Sequence, residues 1–430
     1  MVLAAVVAVA VALVVVGRYY IARLPQSCII NQKIITTDYC SGDCAQRSTR
    51  GDRTIETRNT KINFSRNMDI VIIGCGIVGA AIAYELSLIK SLHITVIDRQ
   101  PPAEASTGAA LGVLMGVISH KIKGQAWQRR QTSIQRYETL IPELEALTGR
   151  KIPFNRQGMI KLLGAEENLP EWEKLAEIRH SQGWKLEIWD TAQLKTCCPQ
   201  VNHPQVTAAV YSPQDRQLNP RALTLALVEA AQHNGVRFKF GVDVLGIEQG
   251  NNCHALATTE GKINADCIVV AAGLGSTSLT AELNQRVNIR PVLGQALQVR
   301  LERPLGNPEF QPVVTGNDVH IVPVGNGNYW VGATVEFPSH DDQIPPNQEL
   351  LDQVWQQAIA FCPDLATAEI IRTWSGLRPR PENRPAPVID KLLGFNNVLL
   401  ATGHYRNGVL LAPATADAIR EMIISIENKK

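Results

Sequence analysis

Apolar residues are not spread evenly along this chain. Asp69-Ile-Val-Ile-Ile-Gly74 is a short unbroken apolar run closed by glycine, the pattern of a strand buried on both faces. Ile77 to Leu88 then carries apolar residues at helical spacing, and His93-Ile-Thr-Val-Ile97 is a second buried strand that ends on Asp98. Strand, turn, helix and strand follow without a gap, so the spacing predicts a βαβ unit. Pro101 and Pro102 close it, and a loop of small residues follows over Ser106-Thr107-Gly108-Ala109-Ala110. An amphipathic helix is predicted from Trp127 to Leu147, kinked or divided at Pro142. A second helix is predicted near Trp172–Ser181. Asn219-Pro220-Arg221 opens another that runs to His233, with Asn as cap and Pro in the first turn. Val236–Phe240 and Ala265–Val270 read as strands, the latter running into Ala271-Ala272-Gly273.

The pattern changes between about Val287 and Phe337. Gln295–Leu301, Val319–Val324 and Tyr329–Glu336 read as strands, and Gly325-Asn-Gly-Asn328 is a hairpin turn. Antiparallel strands after alternating strands and helices indicate a second, sheet-based domain interleaved with the first. The chain returns to a strand at Val398–Ala401 and ends in a helix from about Val409 to Ser425. The expected division is 68–150, 208–288 and 372–430 for a nucleotide domain, and 151–207 and 289–371 for a substrate domain.

Composition bears on the ends and the partners. The 430 residues are 45% hydrophobic, enough for two substantial domains. A formal net charge of +2 gives no nucleic-acid surface. Nine cysteines without repeated CxxC pairs give no four-ligand metal site, and Cys28, Cys40 and Cys44 are too few for one. The other thiols are expected reduced and buried. Residues 1–22 contain an unbroken Val/Ala/Leu run from Val2 to Val16, with Arg18, Arg23 and Lys33 following it. Two readings stand. Residues 2–21 form a membrane segment that keeps the body of the chain cytoplasmic by the positive-inside rule; or translation starts at Met68, after a polar stretch over 23–67 that reads as a disordered linker. On either reading the body is cytoplasmic.

The first chemical motif is Gly74-Cys75-Gly76-Ile77-Val78-Gly79, a GxGxxG between strand and helix. The first Gly permits the tight turn, the second admits a pyrophosphate to the backbone, and the third allows close helix packing. The helix N-terminus offers free N–H groups and a positive dipole to phosphate. Asp98 stands where a carboxylate accepts ribose hydroxyls, with Arg99 beside it. The site resumes at Ala272 and Gly273 and again near the C-terminus. Such discontinuity suits an extended dinucleotide held permanently, so FAD is expected rather than NAD.

Further segments carry a family resemblance. Gly403-His-Tyr-Arg-Asn-Gly408-Val-Leu-Leu-Ala-Pro413, Trp374-Ser-Gly-Leu-Arg-Pro379, Tyr211-Ser-Pro-Gln-Asp-Arg-Gln-Leu-Asn-Pro-Arg221 and Gly332-Ala-Thr334 together resemble the glycine oxidase/D-amino acid oxidase family, from Met68 to the last helix. The resemblance implies an α/β fold with an α+β insert: a Rossmann-type FAD-binding domain with an interleaved antiparallel-sheet substrate domain, glycine oxidase-like. It implies oxidation of a small amine or amino acid by hydride transfer to flavin N5, with oxygen or a quinone reoxidising the flavin and a homo-oligomer as the assembly. Ser106, Thr107, Ala110, Gly112 and Val244 then join the fingerprint as cofactor contacts, and His404, Asn407, Gly408 and Val409 border the flavin ring. A helix beginning at Gly408 points its positive end at the ring, where reduction places negative charge. The alternative reading of this segment is an ordinary helix cap at Asn407.

The resemblance places Arg378 at the substrate carboxylate, with Arg406 in the loop beside it; a guanidinium matches a carboxylate bidentately. Arg406 alternatively pairs with a carboxylate of the protein. His320 stands where glycine oxidase resembles a tyrosine, and Val335 where it has methionine, so glycine itself is in doubt as substrate. An imidazole at 320 serves as a hydrogen-bond partner or a base. His120 is a further candidate beside the flavin. Alternatives within the fold are an N-methyl amino acid or 2-hydroxy acid as substrate, and outside it a non-catalytic FAD-binding protein.

Overall fold

The structure is a computed structural model that describes residues 67–248, 254–283, 285–338 and 344–428. The expected membrane segment and the linker up to residue 66 lie outside the described residues, as do Cys28, Cys40 and Cys44. Among the described residues no helix is long and apolar enough to cross a membrane.

Met68–Ile73, Leu92–Asp98, Cys267–Val270 and Val398–Thr402 form the centre of a six-stranded sheet, with Arg237–Phe240 at one edge and Val388–Lys391 at the other. All pairs are parallel except the one with Val388–Lys391. The unbroken apolar runs follow from burial on two faces. Ile70, Ile72, Val96 and Val269 pack against helices Ile77–Ser87, Pro220–His233, Gly124–Thr148 and Gly408–Glu427. Val71, Ile73, Ile97 and Val270 face a three-stranded sheet that supplies Ile247, Leu256 and Ala265.

An eight-stranded sheet forms the other layer. Its order is Glu369–Pro381, Ile289–Arg300, Asn328–Gly332, Val319–Gly325, Val313–Gly316, Met159–Gly164, Val206–Ser212 and Glu187–Asp190. One face buries Leu297, Val314, Ile321 and Val331 under helix Gln348–Phe361. The expected boundaries at 207/208 and 371/372 both fall inside strands of this sheet. Alternation alone does not tell a strand which sheet to join.

Pro142 neither divides nor ends its helix, which runs unbroken from Gly124 to Thr148. The buried stripe Trp127, Ile134, Tyr137, Ile141 and Leu144 continues across it. Packing along that stripe outweighs the hydrogen bond that proline removes. The helix start at Asn219 is as read: its Oδ1 accepts from the Ala222 N–H at 2.9 Å.

Candidate active site

A cavity of about 770 Å³ runs from the end of the Met68–Ile73 strand to the face of the eight-stranded sheet. At one end, Gly74 turns with φ +103°, and a Cβ there would meet the Ala271 carbonyl carbon at 2.8 Å. A Cβ on Gly79 would strike the Gly74 carbonyl oxygen. Gly74, Gly76, Ile77 and Val78 line the cavity; Gly79 does not, and its place is helix-to-turn packing. Asp98 ends its strand with one carboxylate oxygen accepting from the Cys75 N–H at 2.6 Å and the other from Gln100 at 2.9 Å. The carboxylate thus fixes the turn it neighbours. Thr107 adds a role the spacing did not show: its Oγ1 accepts from the Ile77 N–H at 3.0 Å, capping the fingerprint helix from the short helix Ala105–Ala109.

Arg99, Ser106, Thr107, Ala110, Gly112, Val244, Ala272 and Gly273 line the middle of the same cavity. Its wall at 112–119 is clamped from behind. Asp215, fully buried, accepts from the N–H groups of Gly116, Val117 and Ile118 at 2.7, 2.8 and 2.9 Å and from Ser212 Oγ at 2.8 Å. Burial pushes its carboxyl up, and these donors push it back. Arg179, also fully buried, donates to the carbonyls of Val117, Ser119 and Lys121 and lies 3.7 Å over the Trp127 ring.

At the C-terminal end, His404, Asn407, Gly408 and Val409 line the cavity. Asn407 stands at the N-cap position of the Gly408–Glu427 helix, without a side-chain hydrogen bond to it. His404 is buried with Nε2 2.9 Å from Thr415 Oγ1, and burial lowers its pKa to about 3. It is neutral.

Arg378, Arg406 and His320 meet at the sheet end of the cavity. Arg378 projects from the Glu369–Pro381 strand and lies over Gly294, where a Cβ would overlap its guanidinium; Nη1 donates to the Leu293 carbonyl at 2.9 Å. Burial, with Arg406 nearby, lowers its pKa from the usual value. Arg406 is not free: both terminal nitrogens approach the Asp318 carboxylate at 3.4 Å. Asp318 is 72% exposed, so this pair joins two loops at the cavity mouth. His320 is 8% exposed; burial and the neighbouring Arg406 lower its pKa to about 4, which leaves a neutral imidazole. The cavity also takes in His120, edge-on to Trp172 at 4.5 Å, and Lys161, Glu167, Thr315 and Asp318, none of which belongs to a sequence motif. No cluster of metal ligands occurs among the described residues.

This architecture fits an elongated dinucleotide. Two helix N-termini and a glycine turn that excludes side chains border one continuous space, whose volume is that of a ligand site. The comparisons agree. A family model described as "FAD dependent oxidoreductase" matches residues 69–422. A glycine oxidase of Geobacillus kaustophilus is 26% identical over 83% of this chain and 92% of its own length. The bifunctional protein ThiO/ThiG of Synechocystis sp. is 32% identical, over 83% of this chain but 51% of the relative. The crystal structure of glycine oxidase from Geobacillus kaustophilus superposes with a TM-score of 0.76, covering 84% of this chain and 95% of that one. The glycine turn, the capped fingerprint helix, the interleaved sheets and a matched span from the first strand to the last helix together make this chain a member of the FAD-dependent oxidoreductase (DAO) family.

Proposed function

We propose that this protein oxidises a small amine or amino acid whose carboxylate binds Arg378. The observation that carries the reading is Arg378 itself: a largely buried guanidinium, braced by Gly294 and Leu293, in the same cavity as the glycine turn and without a carboxylate partner among the described residues. Burying such a charge is costly unless an anion completes it. Bound FAD supplies the two-electron acceptor. The chain's own contribution is placement. Arg378 fixes the carboxylate, neutral His320 offers a hydrogen-bond group without adding charge, and the Arg406–Asp318 pair restricts the mouth. Likeness to glycine oxidases over most of both chains supports an amine substrate. Oxygen or a quinone as acceptor, a homo-oligomer and a cytoplasmic body go with this reading.

The test is anaerobic mixing of the yellow holoprotein with D- and L-amino acids, sarcosine and 2-hydroxy acids. Amines should bleach the flavin. Arg378→Ala should keep the flavin spectrum and lose at least about 100-fold in kcat/KM, the loss of a charge-assisted pair. Bleaching by hydroxy acids alone, or an Arg378→Ala variant with full activity, would overturn the reading.

A further inference from the structure

Cross-strand register builds a track along the cavity floor. Ala296 pairs with Gly332, Gly332 with His320, His320 with Thr315, and Thr315 with Lys161. Register partners share a face of the sheet, and Ala296, His320, Thr315 and Lys161 all line the cavity. With neighbouring strands about 4.8 Å apart, four intervals span roughly 19 Å. The row changes character along its length: Ala296 and Gly332 offer no functional group, then come an imidazole, a hydroxyl and an ammonium. His320 is nine-tenths buried, and its Nδ1 has no hydrogen-bond partner. Native proteins rarely leave such an atom unsatisfied, so a ligand belongs beside it.

Charge then narrows what that ligand carries. The charged groups facing His320 are Arg406 and Asp318 at the mouth, Arg378 on the far strand and Lys161 along the row. Arg406 is matched by Asp318 at 3.4 Å, and Lys161 by Glu167 at 2.8 Å. Arg378 alone of the three cations lacks a carboxylate partner among the described residues. One substrate carboxylate satisfies it. A second would enter beside Asp318 and Glu167, with none of the three cations facing His320 left to meet it; Arg130, also on the cavity wall, donates to the Ala126 carbonyl at 2.8 Å. Lys161 still has N–H donors beyond the one given to Glu167, and these suit an uncharged oxygen.

We propose that the site selects amino acids whose side chain ends in an uncharged carbonyl oxygen, in the simplest case a carboxamide, lying along His320 and Thr315 and accepting a hydrogen bond from Lys161. The inference rests on the amine-oxidation reading for the Arg378 end and adds the distal end.

Binding without turnover tests it. Acetate, succinamate and succinate are titrated into the holoprotein while the flavin spectrum is followed. Succinamate should bind about tenfold tighter than acetate, as one net hydrogen bond provides, and tighter than succinate. Lys161→Met should narrow the succinamate-to-acetate ratio below about threefold. Because that change unpairs Glu167, the double variant Lys161→Met/Glu167→Gln must show the same narrowing, and Thr315→Val a partial one. Tighter binding of succinate, equal binding of acetate, or an unaltered ratio in the double variant overturns the proposal. Outcomes also separate the two readings. If glycine and sarcosine bleach the flavin while succinamate binds no better than acetate, the distal assignment falls and amine oxidation stands. If succinamate wins while no amine bleaches the flavin, the distal contact stands and amine oxidation falls.

Discussion

Gly294→Ala is a one-methyl probe of Arg378, the arginine proposed to hold the substrate carboxylate. Gly294 lies in the Ile289–Arg300 strand, does not have a positive φ, and so accepts alanine without backbone strain. What blocks the methyl is the guanidinium of Arg378, the far end of a flexible side chain. The backbone therefore stays and the guanidinium moves, breaking its 2.9 Å hydrogen bond to the Leu293 carbonyl. Hydrogen bonds to charged groups contribute about 1.5–3 kcal/mol net each. Misplacing a two-pronged contact that is partly remade should cost about 2–4 kcal/mol, or roughly 30–1000-fold in kcat/KM. The assay is steady-state turnover with the best substrate of the panel, beside flavin absorbance and a thermal melt on the same preparation. Normal flavin content and melting with a large loss of kcat/KM is the expected pattern. A kcat/KM within threefold of the parent would refute the reasoning, because the arginine would then not need its seat on Gly294.

Two further predictions concern stability. His320 is buried neutral with a pKa pulled down to about 4, whereas an unfolded histidine titrates near 6.5. Between these values the unfolded chain binds more protons, so His320's contribution is present above pH 6.5 and is lost as pH falls towards 4, by about 3 kcal/mol for the holoprotein without ligand. Chemical denaturation at pH 7 and pH 4.5 should show a smaller pH-dependent loss in His320→Gln than in the parent; equal losses would mean the imidazole is not held neutral. Asp215→Ala strips the acceptor from three buried N–H groups and one hydroxyl, and should cost about 3–6 kcal/mol. Urea denaturation measures that loss, and a cost below about 1 kcal/mol would show that the 112–119 wall does not depend on Asp215.

What was legible in the sequence was whatever depends on neighbours in the chain. The glycine turn, Asp98 at its strand end and the Asn219-Pro220 helix start are local geometry, and local residues specify them. Arg378 and Arg406 came through the resemblance. Arg406's tie to Asp318 stayed an open alternative, because pairing across 88 residues leaves no mark in either segment. Thr107 as a cap, Arg179 as a buried clamp and Lys161 on the cavity floor were not visible for the same reason: each acts on a segment far along the chain. Pro142 does not divide its helix, because packing along a long buried stripe decides where a local rule would place a break.

The Glu369–Pro381 strand is an edge of the eight-stranded sheet, and edges invite another strand. Its second half is roofed by the small helix Ala105–Ala109: Trp374 Nε1 donates to the Ala109 carbonyl at 3.0 Å, Ser106 Oγ donates to the Leu377 carbonyl at 2.6 Å, and Gly376 leaves room for Ala109. Its first half carries Ile370 and Ile371, half and two-fifths exposed, between the charges of Glu369 and Arg372. Ser106, Thr107 and Ala109 also line the cavity, so the roof over this edge is built from the wall of the dinucleotide site. One short helix therefore serves two ends, and a substitution within Ala105–Ala109 that disturbs the cofactor wall also uncovers a sheet edge.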